Sequence, residues 1–350
     1  MASFSNLVFI WYTGKVDKNK GERNMATVHL MCGIPGCGKS TKAKEIAAQH
    51  DALYLSSDEK RLELFGDENH RGTNEESDLL FDTIHKELRE ALNNGRDVVY
   101  DATNTNRRKR TYFNDYIAKG HDVIAHAILT PFDVCVERNQ QRERKVPVAA
   151  IKKKYDEFQM PFVTHGFKDV IYHVEKEQVV PKEKMEAVLL APSTYDELFE
   201  VLTQYAPFQR IFELPQDSTY HAFSVSRHTY YVWKGLRERD FGPDALAMAY
   251  AGAFHDLGKG FTKSFYSYEG EELRYAQFKG HEQVSTYLMI HYLKNAGYDD
   301  SFILRAAQMV SYHMLVHTMG KKTERKLKNW LTEEEFHYLD QFNKCDNAAK

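Results

Sequence analysis

The chain has 350 residues, enough for two or three domains that each bury a core. It is 42% hydrophobic and 28% charged, with 9 prolines and 19 glycines, which excludes disordered and collagen-like classes. A net charge of −3 excludes a uniformly basic nucleic-acid binder, so any basic surface is local. Cys32, Cys37, Cys135 and Cys345 form no CxxC pair and are too sparse for a disulfide framework, which predicts a reducing, cytoplasmic compartment. Residues 7–12 (LVFIWY) are too few to span a bilayer and lack the flanks of a secretory signal, so no membrane association is expected. Residues 1–24 are expected to lie outside the fold, with Met25 as the working start; the competing reading is an extra edge strand or arm.

Residues 28–32 read as a buried strand and residues 41–50 as a helix. Between them GIPGCGKS matches GxxxxGK[ST], the phosphate-binding P-loop, in the strand–loop–helix setting it requires. Gly33, Gly36, Cys37, Gly38, Lys39, Ser40 and Thr41 are therefore expected to cradle a nucleoside triphosphate such as ATP. Lys39 would reach the β/γ-phosphates and Ser40 would hold Mg²⁺. A strand at 52–56, a helix at 75–93 closed by Asn94-Gly95, strands at 98–100 and 123–129, and a helix from about Pro131 continue the alternation. This predicts an α/β domain, a parallel sheet with flanking helices, with ligands at the carboxyl ends of its strands.

Three polar clusters sit at such ends. In SSDEKR, Asp58 can take the proton of an attacking hydroxyl and Arg61 can grip a phosphate; Asp58 could equally be a helix cap. In DATNTNRRKR, Asp101 stands where a Mg²⁺-water ligand is expected, ahead of a basic run suited to a polyanion. In RNQQRERKVP, Arg138 and Arg142 are four apart, which predicts one helical face and a lid over the transferring phosphoryl group. Arg138, Arg142, Arg144, Lys145, Lys152, Lys153 and Lys154 face only Glu143 in charge, a basic segment whose bland reading is a solvated run.

With GIPGCGKST, these clusters in this order resemble the phage-type polynucleotide 5′-kinase family over residues 25–175. The resemblance implies Asp58 as general base, Arg61 on the phosphate next to the acceptor hydroxyl, Arg138 and Arg142 as lid arginines, and Lys39 and Ser40 as the P-loop pair. Small-molecule kinases share the scaffold and are the main rival.

Residues 176–209 are charged, hold prolines at 181, 192 and 207, and read as a connector with a helix at 195–205. Beyond it, helical patterns at 245–254, 282–295, 302–317 and 333–343 predict an all-α domain over residues 210–350. Metal-ligand residue types recur there: His228, the adjacent His255-Asp256, His281, His313 and His317 four apart, and Asp346. Imidazoles and carboxylates without thiols favour Mn²⁺, Co²⁺, Ni²⁺, Fe²⁺ or Zn²⁺ over Ca²⁺. The order H…HD…H…H…D, with AGAFHDLGKG and FKGHE, resembles the HD phosphohydrolase superfamily, nearest to the HD domain of bacterial tRNA nucleotidyltransferases. The resemblance implies a first metal on His228, His255, Asp256 and Asp346, a bridge through Asp256 to a second on His281 and His313, and Lys259 and His317 near the phosphate. The chain stops soon after Asp346, so its helix could fray.

Together the two resemblances imply an end-healing enzyme for broken RNA or DNA. One half would phosphorylate 5′-OH ends; the other would remove 2′,3′-cyclic or 3′-phosphates, in cooperation with an RNA ligase. The expected location is the cytoplasm, a host's for a phage-encoded chain. The rivals are a small-molecule or nucleoside kinase joined to an HD nucleotidase, and an NTP-sensing scaffold. The oligomeric state stays open.

Overall fold

The computed structural model describes residues 25–67, 70, 72–143, 145–218, 222–267, 269–317 and 319–349. The readings placed on residues 1–24 and on Arg144 lie outside them. Short, largely apolar runs form the strands β1 (Thr27–Cys32), β2 (Leu53–Ser56), β3 (Val98–Asp101) and β4 (Asp122–Leu129). A fifth, β5 (Asp169–Val174), follows where the unit was expected to end. All pairings are parallel, in the order β2-β3-β1-β4-β5. Val28, Leu30, Val98, Val99, Ala125, Ala127 and Leu129 are buried, because helices cover both faces of a parallel sheet.

The Asn74–Asn93 helix shows how local sequence sets a start. Thr73 accepts from the Glu76 amide while the Glu76 carboxylate returns to the Thr73 amide, a reciprocal cap. Such a cap stabilises a helix by about 1 kcal/mol.

Residues 176–209 carry a further helix ahead of the one expected from residue 195. The Lys182–Leu190 and Tyr195–Leu202 helices bury Met185, Leu189, Leu198, Phe199 and Leu202, and Trp233 Nε1 donates to Leu189 O at 3.2 Å. Prolines 181 and 192 lie just outside these helices, where proline is tolerated. The C-terminal region is helical. Its main members are Val225–Arg237, Ala245–Phe254, His281–Asn295, Asp300–His317 and Glu333–Ala348. It is not purely helical: β6 (Ser264–Tyr266) and β7 (Glu272–Gln277) pair as an antiparallel hairpin. That hairpin is mostly exposed, so it carries little apolar signal. The expected fraying does not reach Asp346, which is buried within the last helix.

The two halves meet through aromatic residues. Tyr155, Phe158 and Phe162 of the first are buried against Tyr287 and Tyr312 of the second. Tyr287 Oη donates to Thr130 O at 2.8 Å, and His165 Nε2 meets Tyr312 Oη at 2.8 Å. Among the described residues no helix is long and apolar enough to cross a membrane.

Candidate active sites

The P-loop joins β1 to the Lys39–His50 helix. Gly36 and Gly38 both take φ +86°, a left-handed conformation that glycine adopts without steric cost. A Cβ on Gly36 would also stand 2.3 Å from Cys135 O. Gly38 caps the helix with no side-chain partner, so the first amides keep donors for an anion. Cys37 is buried and its thiol is pushed up to about 11 by burial, so it serves through its backbone. Its carbonyl is braced by Thr130 Oγ1 at 2.9 Å. Ser40 and Thr41 open the helix beside these amides.

Lys39 Nζ is paired with buried Asp101 at the end of β3, and Tyr54 Oη donates to the other Asp101 oxygen at 2.9 Å. Asp101 thus lies within reach of the P-loop lysine, as a Mg²⁺-water ligand must. Asp58 is the second residue of the Ser57–Phe65 helix. The cap is Ser56, which accepts from the Asp58 and Glu59 amides, so the capping reading of Asp58 fails. The Asp58 carboxylate instead accepts from Arg61 Nη1 at 2.8 Å.

Arg138 abuts the P-loop: its Nη1 lies 3.7 Å from where a Gly38 Cβ would stand and donates to Glu175 Oε1 at 2.7 Å. Arg142 does not share its helical face. The Phe132–Gln140 helix ends first, and Arg142 sits exposed in a bend. The cause is local: Asn139 binds both the amide and the carbonyl of Val146 at 2.9 Å, turning the chain towards Pro147. The Arg107–Tyr112 run is also only partly available to a polyanion. Arg110 is buried and donates to Asn104 O at 2.7 Å, and Arg107 stacks 4.3 Å above Trp330.

Two cavities open in this half, the first at the P-loop. One, about 430 Å³, is lined by Gly38, Thr41, Arg138, His173 and Glu175 on the β4–β5 side. The other, about 690 Å³, lies past the end of β3 and is lined by Phe81, Tyr100, Asn104, Arg108, Lys109 and Tyr112. Sequence reasoning missed this second cavity, whose walls come from segments far apart in the chain.

In the helical half all six expected ligands are buried and converge. Ligand atoms of His228, His255 and Asp346 lie within 4.8 Å of one another, as do those of Asp256, His281 and His313. Asp256 spans the two groups: Oδ1 is 3.2 Å from His281 Nε2 and Oδ2 is 3.3 Å from His228 Nε2. The tight HDLGKG turn sets this position. Gly258 leaves no room for a side chain, since a Cβ would stand 2.1 Å from His281 O.

The imidazoles all point the same way for one reason. Nδ1 of His228, His255, His281 and His313 each faces a backbone carbonyl, of Ala349, Gly252, Phe278 and Val310, at 2.7–2.9 Å. A carbonyl only accepts, so each neutral ring carries its proton on Nδ1 and presents an Nε2 lone pair. Those lone pairs then confront one another, His228 with His255 at 3.2 Å and His281 with His313 at 3.3 Å. Facing lone pairs beside two buried carboxylates call for shared cations, so the donor set fits divalent metal.

The electrostatics agree. Burial pushes the Asp256 carboxyl up, but His255 and Lys259 outweigh it and hold it well below the usual range. Burial acts likewise on Asp346, and its contacts with His228 and His317 overcome it. Burial opposes charge on His255, yet the neighbouring Asp256 leaves its pKa raised. His313 is lowered to about 3 by burial and then by His255 and His281. Lys259 Nζ lies 2.7 Å from Asp256 Oδ2 and donates to Gln216 at 2.8 Å; His317 Nε2 reaches Asp346 Oδ2 at 2.7 Å.

Residues 28–161 match the family described as the AAA domain. No curated protein matches the sequence. Among solved structures, the Pnkp1/Rnl/Hen1 RNA repair complex is 24% identical over 41% of this chain and 47% of that one, with a TM-score of 0.36. A second structure of the Pnkp1/Rnl/Hen1 complex is 23% identical over 35% and 41%, with a TM-score of 0.30. A sugar kinase from Janibacter sp. HTCC2649 is 16% identical over 42% and 85%, with a TM-score of 0.32. The chain spans less than half of the first two. The family match, the parallel sheet and the P-loop together define the N-terminal half as a kinase-like P-loop domain.

Proposed function

We propose that this chain heals broken RNA ends, with DNA ends as a second acceptor. The kinase-like half would move the γ-phosphate of ATP or another NTP, with Mg²⁺, to a 5′-OH. The helical half would be an HD phosphohydrolase that removes 2′,3′-cyclic phosphate or 3′-phosphate, leaving ends for an RNA ligase. The observation that carries this reading is the pairing, in one chain, of a P-loop domain that holds an acid–arginine pair with a buried site of four convergent imidazoles and two carboxylates. One centre adds phosphate and the other suits its removal.

In the kinase half, Arg61 orients Asp58, which accepts the proton of the attacking hydroxyl. Lys39 would exchange Asp101 for the β/γ-phosphates, and Asp101 and Ser40 are the residues that would hold Mg²⁺. Arg138 exchanges Glu175 for the phosphoryl group in transfer, and the exposed Arg142 closes with it. The 430 Å³ cavity suits the donor base and the 690 Å³ cavity, with Tyr100, Tyr112 and Arg108, the acceptor nucleoside.

In the helical half, His228, His255, Asp256 and Asp346 would hold one divalent ion, and Asp256, His281 and His313 a second. When bound, such a pair (Mn²⁺, Co²⁺, Ni²⁺, Fe²⁺ or Zn²⁺) supplies a deprotonated water for attack on phosphorus near neutral pH. Lys259 adds positive charge beside Asp256 for the substrate phosphate, and His317 fixes Asp346.

The test is a synthetic RNA bearing a 5′-OH and a 2′,3′-cyclic phosphate, incubated with NTP, Mg²⁺ and Mn²⁺ and read by mass at both ends. Addition at one end and removal at the other is expected. No change at either end sinks the proposal. A free nucleoside phosphorylated as well as the oligonucleotide transfers it to a nucleoside kinase.

A further inference from the structure

We propose that His29, His50 and Asp97 form a divalent-metal site of the zinc class in the kinase-like half, at the sheet edge opposite the P-loop. Topology brings these residues together. His29 lies near the start of β1, and Asp97 directly precedes β3, the neighbouring strand. The Lys39–His50 helix spans 12 residues, or about 18 Å of rise, which returns the chain from the P-loop to that edge and leaves His50 on its last turn. Ligand atoms of the three lie within 4.8 Å of one another, and the His29 and His50 rings are 4.5 Å apart.

The second observation is an orphan. His29 is 3% exposed, and its Nε2 is buried with no hydrogen-bond partner. A buried ring nitrogen without a partner is costly. Its other nitrogen is committed: Nδ1 meets His126 Nε2 at 3.0 Å. Asp97 is anchored as well, since Oδ1 accepts from the Thr27 amide at 2.6 Å and leaves Oδ2 for an ion. Two imidazoles and a carboxylate suit Zn²⁺, with water as the fourth ligand; Ca²⁺ and Mg²⁺ prefer oxygen alone. His50 is exposed, which gives an ion a route in.

The site has a consequence for the nucleotide side. His126 sits two residues further along β4 than the partner of His29, and His173 two further along β5 than the partner of His126. The three rings therefore climb one sheet face, with His126 Nδ1 meeting His173 Nε2 at 3.0 Å. An ion on His29 Nε2 places the proton of that ring on Nδ1, which donates to His126. His126 must then carry its own proton on Nδ1 and donate to His173, which lines the cavity beside Gly38 and Thr41. The ion would set the tautomer of the whole row.

The full-length chain, stripped with chelator, is dialysed against Zn²⁺ alone and its bound metal counted. His50→Ala and Asp97→Asn are compared with the unsubstituted chain; the asparagine keeps an oxygen for the Thr27 amide. Each variant should bind one ion fewer per chain. Zn²⁺ should move the ¹⁵N signals of His126 to the Nδ1–H form in the unsubstituted chain and not in His50→Ala. The comparison is a difference, so it holds whatever the helical half binds. Equal metal content in all three proteins overturns the proposal.

Discussion

Replacing Asp58 by Asn separates chemistry from structure in the kinase half. The substitution preserves shape and removes the charge that would accept the hydroxyl proton. A positioned general base contributes about 10²–10⁴ in rate, equivalent to about 3–5 kcal/mol of barrier. The structural loss is far smaller. The Asp58 side chain is 45% exposed, and it touches Arg61 across a pair one helical turn long. Exposed pairs of this kind contribute about 0–1 kcal/mol, and the helix N-terminus adds a few tenths for an acid in the first turn. Asp58→Asn should therefore lower transfer of labelled γ-phosphate to a 5′-OH oligonucleotide by at least about a hundredfold. Its melting temperature and its release of 2′,3′-cyclic phosphate should stay near those of the unsubstituted protein. A fall in transfer of less than tenfold, or a parallel fall in both activities, refutes the assignment of Asp58 as base.

Asp256→Asn should abolish phosphate removal and reduce metal bound by the helical half, while transfer to 5′-OH ends persists; titration with Mn²⁺ alongside the two assays checks this. Gly36→Ala should abolish NTP binding in an equilibrium dialysis assay, because the new Cβ meets Cys135 O and φ is +86°. Stability should fall in mild acid. His126 and His173 are lowered by burial from 6.5 to about 3 and about 4, so the unfolded chain takes up protons that the folded chain refuses. Between about pH 6.5 and 4 each histidine then costs up to about 1.4 kcal/mol per pH unit. Urea unfolding across that window measures the slope, and a flat profile contradicts the neutral row.

The legible parts of the fold are those written in local pattern. β1 to β4 are readable because short apolar runs stand between polar turns. The P-loop was readable because its glycines, lysine and serine fall at fixed offsets. β5 was only marked as an end. It is an edge strand whose Val170 and Tyr172 are buried while Ile171 is partly exposed, so its short alternating pattern is weak. The metal-type residues of the helical half were readable by kind and order, yet their convergence needs five separate segments. The alignment of Arg138 with Arg142 was misread because Asn139 ends the helix through a contact seven residues on. His29, His126 and His173 were silent for the opposite reason. They are 97 and 47 residues apart and meet only through sheet register.

The His281–Asn295 helix bears on both centres at once. Its first residue presents Nε2 to Asp256, and Tyr287, less than two turns later, donates to Thr130 O. Thr130 in turn braces the Cys37 carbonyl inside the P-loop through its hydroxyl. A displacement of this helix on metal binding therefore has a short, fully buried route to the phosphate cradle: His281, Tyr287, Thr130, Cys37. The route is packed as well as hydrogen-bonded, since Tyr155 and Phe158 hold the Tyr287 ring edge-on at 5.0 and 5.8 Å. Tyr287→Phe removes the polar link and keeps the ring. The Thr130 carbonyl keeps the Cys135 thiol at 3.4 Å, so the loss is that of one hydrogen bond, about 0.5–1.5 kcal/mol. If the helix transmits metal occupancy, that single oxygen should decouple NTP affinity from Mn²⁺ concentration while both catalytic rates survive. If NTP affinity never depends on Mn²⁺ in the unsubstituted protein, the contact is only a brace between the halves.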